Sequence, residues 1–361
     1  MHKERIGFPM QLDFTTDKIN QIPVKDGIVV LSGYGVMANV EKGYLVLKDG
    51  LGIKSRESRF FKATCKIKRL VIHSTHGMVS LAALKWLNEI NAGVVQLGWD
   101  GEVILASTPS QDNINLKRAQ YSALYDDKGL ILTKYLLLEK VNGQLKVLRT
   151  LAPDATYTYN GETINSLYFM KNLCTDIAKA KSISRVLEIE SLAANLYWSV
   201  LSKMTLQFHQ KGEFEVPEHW KTFGSRHSLI NPKLNRNAIN PANAMLNYLY
   251  ALLYTETRLA LLRVGLDPTA GIFHADNKYR DSFAYDVLEA VRSDVDVWLL
   301  NFVRNHVFSV KDFYEKRDGG IRLTLKIIPF LAETVSLWAK KIESVIGRIR
   351  LILVENESFD K

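Results

Sequence analysis

The sequence predicts an α+β protein, with a β-rich N-terminal domain carrying one helix over residues 1–107 and an all-α domain over residues 108–361. Three observations predict it. Residues 20–72 alternate apolar and polar side chains in short runs punctuated by glycine. Beyond TPSQDN (108–113) the apolar period changes to that of helices. At 361 residues the chain also exceeds the usual size of one domain.

In chain order, IVVLSGYGVMANV (28–40), GYLVLKDG (43–50) and IKRLVIHS (67–74) read as strands joined by glycine-bearing turns. In VSLAALKWLNEINAG (79–93), Leu81, Leu84, Leu87 and Ile90 recur at helical spacing, with Ser80 as the cap and Gly93 as the stop. VVQLGWDGEVIL (94–105) gives one more strand, a turn at Asp100-Gly101 and a strand end. Helices follow in INLKRAQYSALYDDKG (114–129), LILTKYLLLEKVNG (130–143) and residues 184–203. NPANAMLNYLYALLYTETRLALLRVG (240–265) is the clearest, with Asn240 to cap it, Pro241 in its first turn and Gly265 to end it. A hairpin is expected around Arg317-Asp318-Gly319-Gly320, then a long helix to about residue 352. No internal repeat or low-complexity segment interrupts this order. The short linker at 105–114 is the best domain boundary.

Apolar residues make up 47% of the chain and charged residues 24%, enough material for a sizeable core. No run approaches the roughly 20 apolar residues a bilayer span requires, so no membrane partner is expected. The start, MHKERIGFPMQLDF, has no apolar stretch of the signal-peptide kind. Cys65 and Cys174 fit no metal or redox spacing and read as buried thiols in a reducing cytoplasm. The formal charge of +9 is concentrated in KSRESRFFKATCKIKR (54–69), seven basic residues against one Glu. Such a surface favours polyanions, nucleic acid first among them; the rival reading is a solvated sheet edge whose lysines block strand pairing.

Most short motifs fail on context. GYGVMA (33–38) matches a dinucleotide fingerprint, but another strand follows where a helix is required, so a glycine-bearing β-turn is expected. His73 and His76 read as core or surface histidines, and His209, His219 and His227 lack zinc spacing. The stretch GIFHADNKYRDSFAYDVLEAVRSDVD (271–296) is different. Asp281 or Ser282 can cap a helix whose apolar stripe is Phe283, Val287 and Ala290, and Asp286 and Glu289 share one of its faces. Two carboxylates so close raise each other's pKa unless a positive charge lies beside them, and acids with one imidazole, His274, suit Mn²⁺ or Mg²⁺. A solvated acidic face with an ordinary buried histidine is the alternative. A further ligand must come from elsewhere, and SRVLEIESLAANLYWSVL (184–201) carries Glu188 and Glu190 in an apolar setting.

Taken together, E-x-x-A-A-x-x-Y (Glu190 to Tyr197), N-P-x-N-A-x-L-N-Y-x-Y (Asn240 to Tyr250), G-h-x-H (Gly271 to His274), R-x-S-x-x-x-D-x-x-E (Arg280 to Glu289) and Val295-Asp296 form a specific order. The chain resembles the CRISPR-associated integrase/endonuclease of spacer acquisition, the Cas one family, over nearly its whole length; the YGV stretch and RAQY at 118–121 also fit. The resemblance implies a metal site of Glu190, His274 and Glu289, with Asp286 as a further catalytic residue that either ligates or orients a ligand. Isoleucine and serine flank Glu190 where family members often carry glycine, which leaves Glu188 as a competitor. The implied activity is insertion of short DNA fragments into a CRISPR array by 3′-hydroxyl transesterification, with Mg²⁺ or Mn²⁺ as cofactor. The implied partners are double-stranded DNA (the incoming fragment and the target array), a second copy of the chain joined through the β-rich domain, and the CRISPR-associated protein Cas two. Arg280, Arg292, Lys62, Lys66, Lys68 and Arg69 are candidate phosphate contacts. A non-catalytic DNA-binding scaffold and a transposon-type integrase of the same superfamily are the rival functions.

Overall fold

The computed structural model of the protein describes residues 21–52, 55–98, 103–107, 112–209, 215–224, 238–276, 280–324 and 326–354. The expected Asp100-Gly101 turn, the N-terminal stretch, Lys54 and His227 lie outside the described residues. The N-terminal part runs β1 (Val24–Lys25), β2 (Ile28–Ser32), β3 (Val36–Glu41), β4 (Tyr44–Asp49), β5 (Arg56–Phe60), β6 (Arg69–His73), β7 (Gly77–Val79), α1 (Leu81–Glu89), β8 (Gly93–Leu97) and β9 (Val103–Ser107). One sheet has the order β1-β2-β6-β8-β9 and the other β5-β4-β3-β7. The centre of the first sheet, β2-β6-β8, is parallel, and its two edge strands are antiparallel.

The G-x-G at Gly33 and Gly35 is the β-turn its context demands. Both residues take left-handed φ, 81° and 70°, and β3 follows directly. Helix α1 is capped as expected by Ser80, whose hydroxyl accepts from the Ala83 N–H at 3.1 Å. Its stop differs: Asn91, at φ 57°, takes the left-handed position, and Gly93 already belongs to β8.

Strand alternation sends the first sheet's side chains to two different cores. In β6, Leu70 and Ile72 join the apolar cluster between the two sheets. Val71 points the other way, into the large helical core, together with Ile28 of β2 and Val95 of β8. Both faces of this sheet are therefore covered, which explains strands such as RLVIH, buried at every position.

The remaining elements are α2 (Ile114–Ser122), α3 (Asp127–Leu151), β10 (Thr156–Tyr159), β11 (Glu162–Asn165), α4 (Ser166–Lys179), α5 (Ile183–Leu201), β12 (Gln207–Phe208), α6 (Pro241–Val264), α7 (Ser282–Asn305), β13 (Val307–Phe308), β14 (Phe313–Glu315), β15 (Ile321–Leu323), α8 (Ile328–Ala332) and α9 (Val335–Val354). Among its described residues the helical part thus also carries three two-stranded ribbons. The β14–β15 hairpin is the expected one; the β10–β11 hairpin, turning on Asn160 and Gly161 at φ 49° and 84°, is an addition to the sequence reading.

Helix α6 starts and stops as its sequence says. Asn240 Oδ1 accepts from the Asn243 N–H at 2.8 Å, Pro241 opens the helix and Gly265 closes it at φ 82°. Its buried residues lie on nearly every side, because it runs through the middle of the bundle between α7, α9 and the first sheet. Helices α3 and α7 approach closely at Gly143, where a Cβ would fall on Ser293 Oγ. Gly143→Ala is therefore expected to force α3 and α7 apart and destabilise the fold by about 1–3 kcal/mol, read as a lowered midpoint in urea unfolding. An unchanged midpoint would show that the helices separate at no cost.

Candidate metal centre

Three helices and one loop build the site. Glu190 projects from α5 and Glu289 from α7, and both reach the ammonium of Lys140 on α3, at 2.5 Å and 2.6 Å. The two carboxylates, 99 residues apart in sequence, thus face one point in space. All three side chains are largely buried, with 16%, 7% and 12% of Glu190, Glu289 and Lys140 exposed. Glu289 also accepts from Arg292 through its other oxygen, at 2.7 Å. Burial alone would raise the Glu289 carboxyl; the charges of Arg292 and Lys140 outweigh burial and hold it down at about 2. Glu188, the competitor in sequence, points outward and pairs with Arg185 at 2.9 Å.

His274 comes from the loop between α6 and α7. Gly271 opens the loop, and a Cβ there would fall on the carbonyl of His274, so no other residue fits. The RAQY stretch pins the loop from behind. The Gln120 amide donates to the carbonyls of Asp267 and Ala270 at 2.8 and 3.1 Å, and Tyr121 donates to the Asp267 carboxylate at 2.7 Å.

Asp286 is bound up with the His274 loop. It is fully buried, and its oxygens accept from the backbone N–H groups of Ile272 at 2.5 Å and His274 at 3.1 Å, and pair with His274 Nδ1 at 2.7 Å. Burial pushes the Asp286 carboxyl up, and the bonds from His274 and Ile272 offset part of that rise. A proton on Nδ1 shared with an ionised Asp286 would leave Nε2 as the ligating nitrogen of a ring that is 32% exposed. In this arrangement the three ligand-type residues do not form a cage: among the described residues, no three histidine, cysteine or acidic side chains stand at coordination distance. Lys140 fills the space between the carboxylates.

Beneath the site, Asp296 ties three helices. It accepts from Tyr197 of α5 at 2.9 Å and from Tyr250 of α6. The Tyr250 ring lies 4.4 Å from the Arg292 guanidinium, so the brace reaches Glu289. Asp281 holds the N-cap position just before α7, but its side chain makes no capping bond; its carboxylate instead takes Tyr254 at 2.8 Å and Arg258 at 2.6 Å.

Comparison with known proteins places this arrangement. The family model for CRISPR associated protein Cas1 matches residues 29–331. The chain belongs to the Cas1 family. It is 30% identical over 279 residues to a CRISPR-associated endonuclease Cas1 of Archaeoglobus fulgidus, covering 74% of this chain and 75% of that one. A CRISPR-associated endonuclease Cas1 of Pyrobaculum aerophilum is 28% identical over 324 residues, 89% of this chain and 93% of the relative. Among solved structures, a casposase bound to integration product superposes with a TM-score of 0.72 at 23% identity, covering 92% of each chain. A Cas1 protein from Thermotoga maritima gives 0.67 at 16% identity, over 92% of this chain and 99% of that one. At these identities the likeness shows the fold.

The basic residues singled out in the sequence of this Cas1-family chain divide into four groups. Arg69 is no phosphate contact: it is 4% exposed and pairs with Glu256 of α6, so the end of the basic run lies inside the protein. Arg292 works as the partner of Glu289 rather than as a free cation. Lys62 pairs with Glu89, Arg59 with Glu57 and Glu41, and Arg56 with the buried Asp49, so much of the 54–69 run is neutralised where it stands. Lys66 and Lys68 remain exposed on the rim of an open hollow, and Arg280 lies beside the His274 loop, donating to the Ala275 carbonyl at 3.1 Å. Cys65 and Cys174 are half-buried free thiols, not the fully buried ones expected. No helix among the described residues is long and apolar enough to cross a membrane.

Proposed function

We propose that the chain is a divalent-metal-dependent DNA strand-transfer enzyme. It joins the 3′-hydroxyl of a short double-stranded fragment to a CRISPR array, with nicking when water replaces that hydroxyl. The observation that carries this reading is the convergence of Glu190 and Glu289 on one buried cation seat, beside an imidazole whose Nδ1 is committed to Asp286. The donor set fits Mg²⁺ or Mn²⁺, with two carboxylate oxygens and one imidazole nitrogen from Glu190, Glu289 and His274. The Lys140 ammonium is a stand-in that shows the seat accepts positive charge. When bound, the ion supplies charge neutralisation at the phosphodiester and acidifies the attacking hydroxyl.

The chain's own residues do the positioning. Asp286 fixes the tautomer and angle of His274, Arg292 keeps Glu289 ionised and aimed, and Asp296 holds the helices that carry both. Of the candidate phosphate contacts, Lys66, Lys68 and Arg280 are the exposed or half-exposed ones that could meet DNA phosphates. The names of related proteins support the setting, since they include curated Cas1 endonucleases, a casposase bound to integration product and a Cas6-RT-Cas1–Cas2 complex. They support DNA and Cas two as partners. Exposed Met78, Val79 and Leu105 line one hollow of the N-terminal part, beside the exposed Leu81, a surface suited to a second copy of the chain.

The test is strand transfer of 3′-end-labelled DNA into a supercoiled plasmid in Mn²⁺, comparing the unaltered protein with Glu190→Ala. We expect the variant to lose about a thousandfold or more. Equal joining by both proteins would remove the assignment, and joining by neither would favour the DNA-binding scaffold.

A further inference from the structure

We propose that Lys140 is a built-in counter-ion with two seats: it holds Glu190 and Glu289 together in the ion-free protein and withdraws into an adjoining polar cavity when a divalent cation enters. This rests on the metal reading of the site and adds a competing cation carried by the protein itself.

The first seat is the one observed, with the ammonium between the two carboxylates. Without a positive charge there, two largely buried acids would repel at short range, so some cation must occupy the gap in every state. A metal ion cannot take the position while the ammonium holds it. The lysine must therefore have somewhere to go.

The second seat lies next to the first. A cavity of about 20 Å³ is lined by Lys140, Gln144, Trp198, Arg292, Ser293 and Asp296, room for one water-sized group, which is the size of an ammonium. Two of its walls are acceptors without a hydrogen bond among the described residues. They are Gln144 Oε1 and Ser293 Oγ, on residues only 4% and 2% exposed. Buried acceptors of this kind are costly and are seldom left unmatched. Gln144 follows Lys140 by one helical turn on α3, and helical side chains lean toward the N-terminus, so its amide lies over the turn that carries the lysine. The Asp296 carboxylate in the same wall supplies negative charge against Arg292. A short swing of the lysine chain thus exchanges two carboxylates for an amide oxygen, a hydroxyl and a carboxylate.

A site whose competent state is only partly populated binds with its affinity reduced by that fraction. Isothermal titration with Mn²⁺ reads this directly, without the reaction. Lys140→Met removes the competitor and is expected to tighten Mn²⁺ by about tenfold. Lys140→Arg keeps the charge, but its guanidinium is too large for the cavity, so Mn²⁺ should bind more weakly than to the unaltered protein. Gln144→Leu removes the second seat: it should weaken Mn²⁺ at least about threefold when Lys140 is present and have no effect in the Lys140→Met background. Mn²⁺ bound equally by the unaltered protein, Lys140→Met and Lys140→Arg would overturn the inference while leaving the metal site standing. Equal weakening by Gln144→Leu in both backgrounds would also overturn it, since that is general damage. No Mn²⁺ heat in any of these proteins would overturn the metal reading and this inference with it.

Discussion

Glu289→Gln is expected to abolish strand transfer, by about a thousandfold or more, while leaving the helix that carries it in place. The amide keeps the shape of the carboxylate and one acceptor for Arg292 but loses the charge that a divalent cation needs. The same substitution should change the acid response of the fold. The Glu289 carboxyl is lowered from an ordinary 4.5 to about 2, so its contribution to stability is fully present above pH 4.5 and is lost as the pH falls toward 2. Urea unfolding from pH 2 to pH 5 should therefore show a limb, rising with pH, that is smaller in Glu289→Gln. At neutral pH the variant should be less stable by about 3 kcal/mol, because Arg292 and Lys140 then share fewer negative partners. Full strand transfer by Glu289→Gln in Mn²⁺ would remove this residue from the reaction.

Asp296→Ala is expected to be the most destabilising single change outside the candidate metal centre, costing about 3–5 kcal/mol. It leaves two tyrosine hydroxyls, Tyr197 and Tyr250, without the acceptor both use. Tyr197 is fully buried, so water cannot replace the lost bond. Asp296→Asn retains one acceptor oxygen and should cost about 1–2 kcal/mol. Urea midpoints separate the two, and an Asp296→Ala midpoint equal to that of the unaltered protein would show that the tyrosines find other partners. Because Tyr250 lies against Arg292, the substitution should also weaken catalysis in the protein that does fold.

Much of this is legible in the sequence. Caps and stops are local chemistry, so Ser80, Asn240, Pro241 and Gly265 are where their residue types place them. The acid pair and His274 can be found because their spacing on α7 and its preceding loop is short-range. Glu190 can be paired with them only through the resemblance to a known family; nothing in a one-dimensional pattern brings α5 to α7. Lys140 escapes a sequence reading because a lysine in a helix usually reads as solvated. The signal is nevertheless present: Leu136, Leu137, Val141, Gln144 and Val147 are buried on α3, and Lys140 falls on that same stripe. Arg69 shows the opposite error. Counting basic residues over 54–69 ignores strand alternation, which turns Arg69 inward toward Glu256. The TYTYNGETIN hairpin carries an Asn-Gly turn signal that the helical surroundings mask.

The doubly covered sheet has a practical meaning for anyone dissecting this protein. Val71, Val95 and Ile28 reach across the expected boundary at 105–114, and Arg69 reaches across it to Glu256. Cutting there would strip an oily wall from both pieces and strand an ionised guanidinium on one and a carboxylate on the other. Neither fragment should remain dispersed by itself, which expression of residues 1–107 and 108–361 as separate pieces would check.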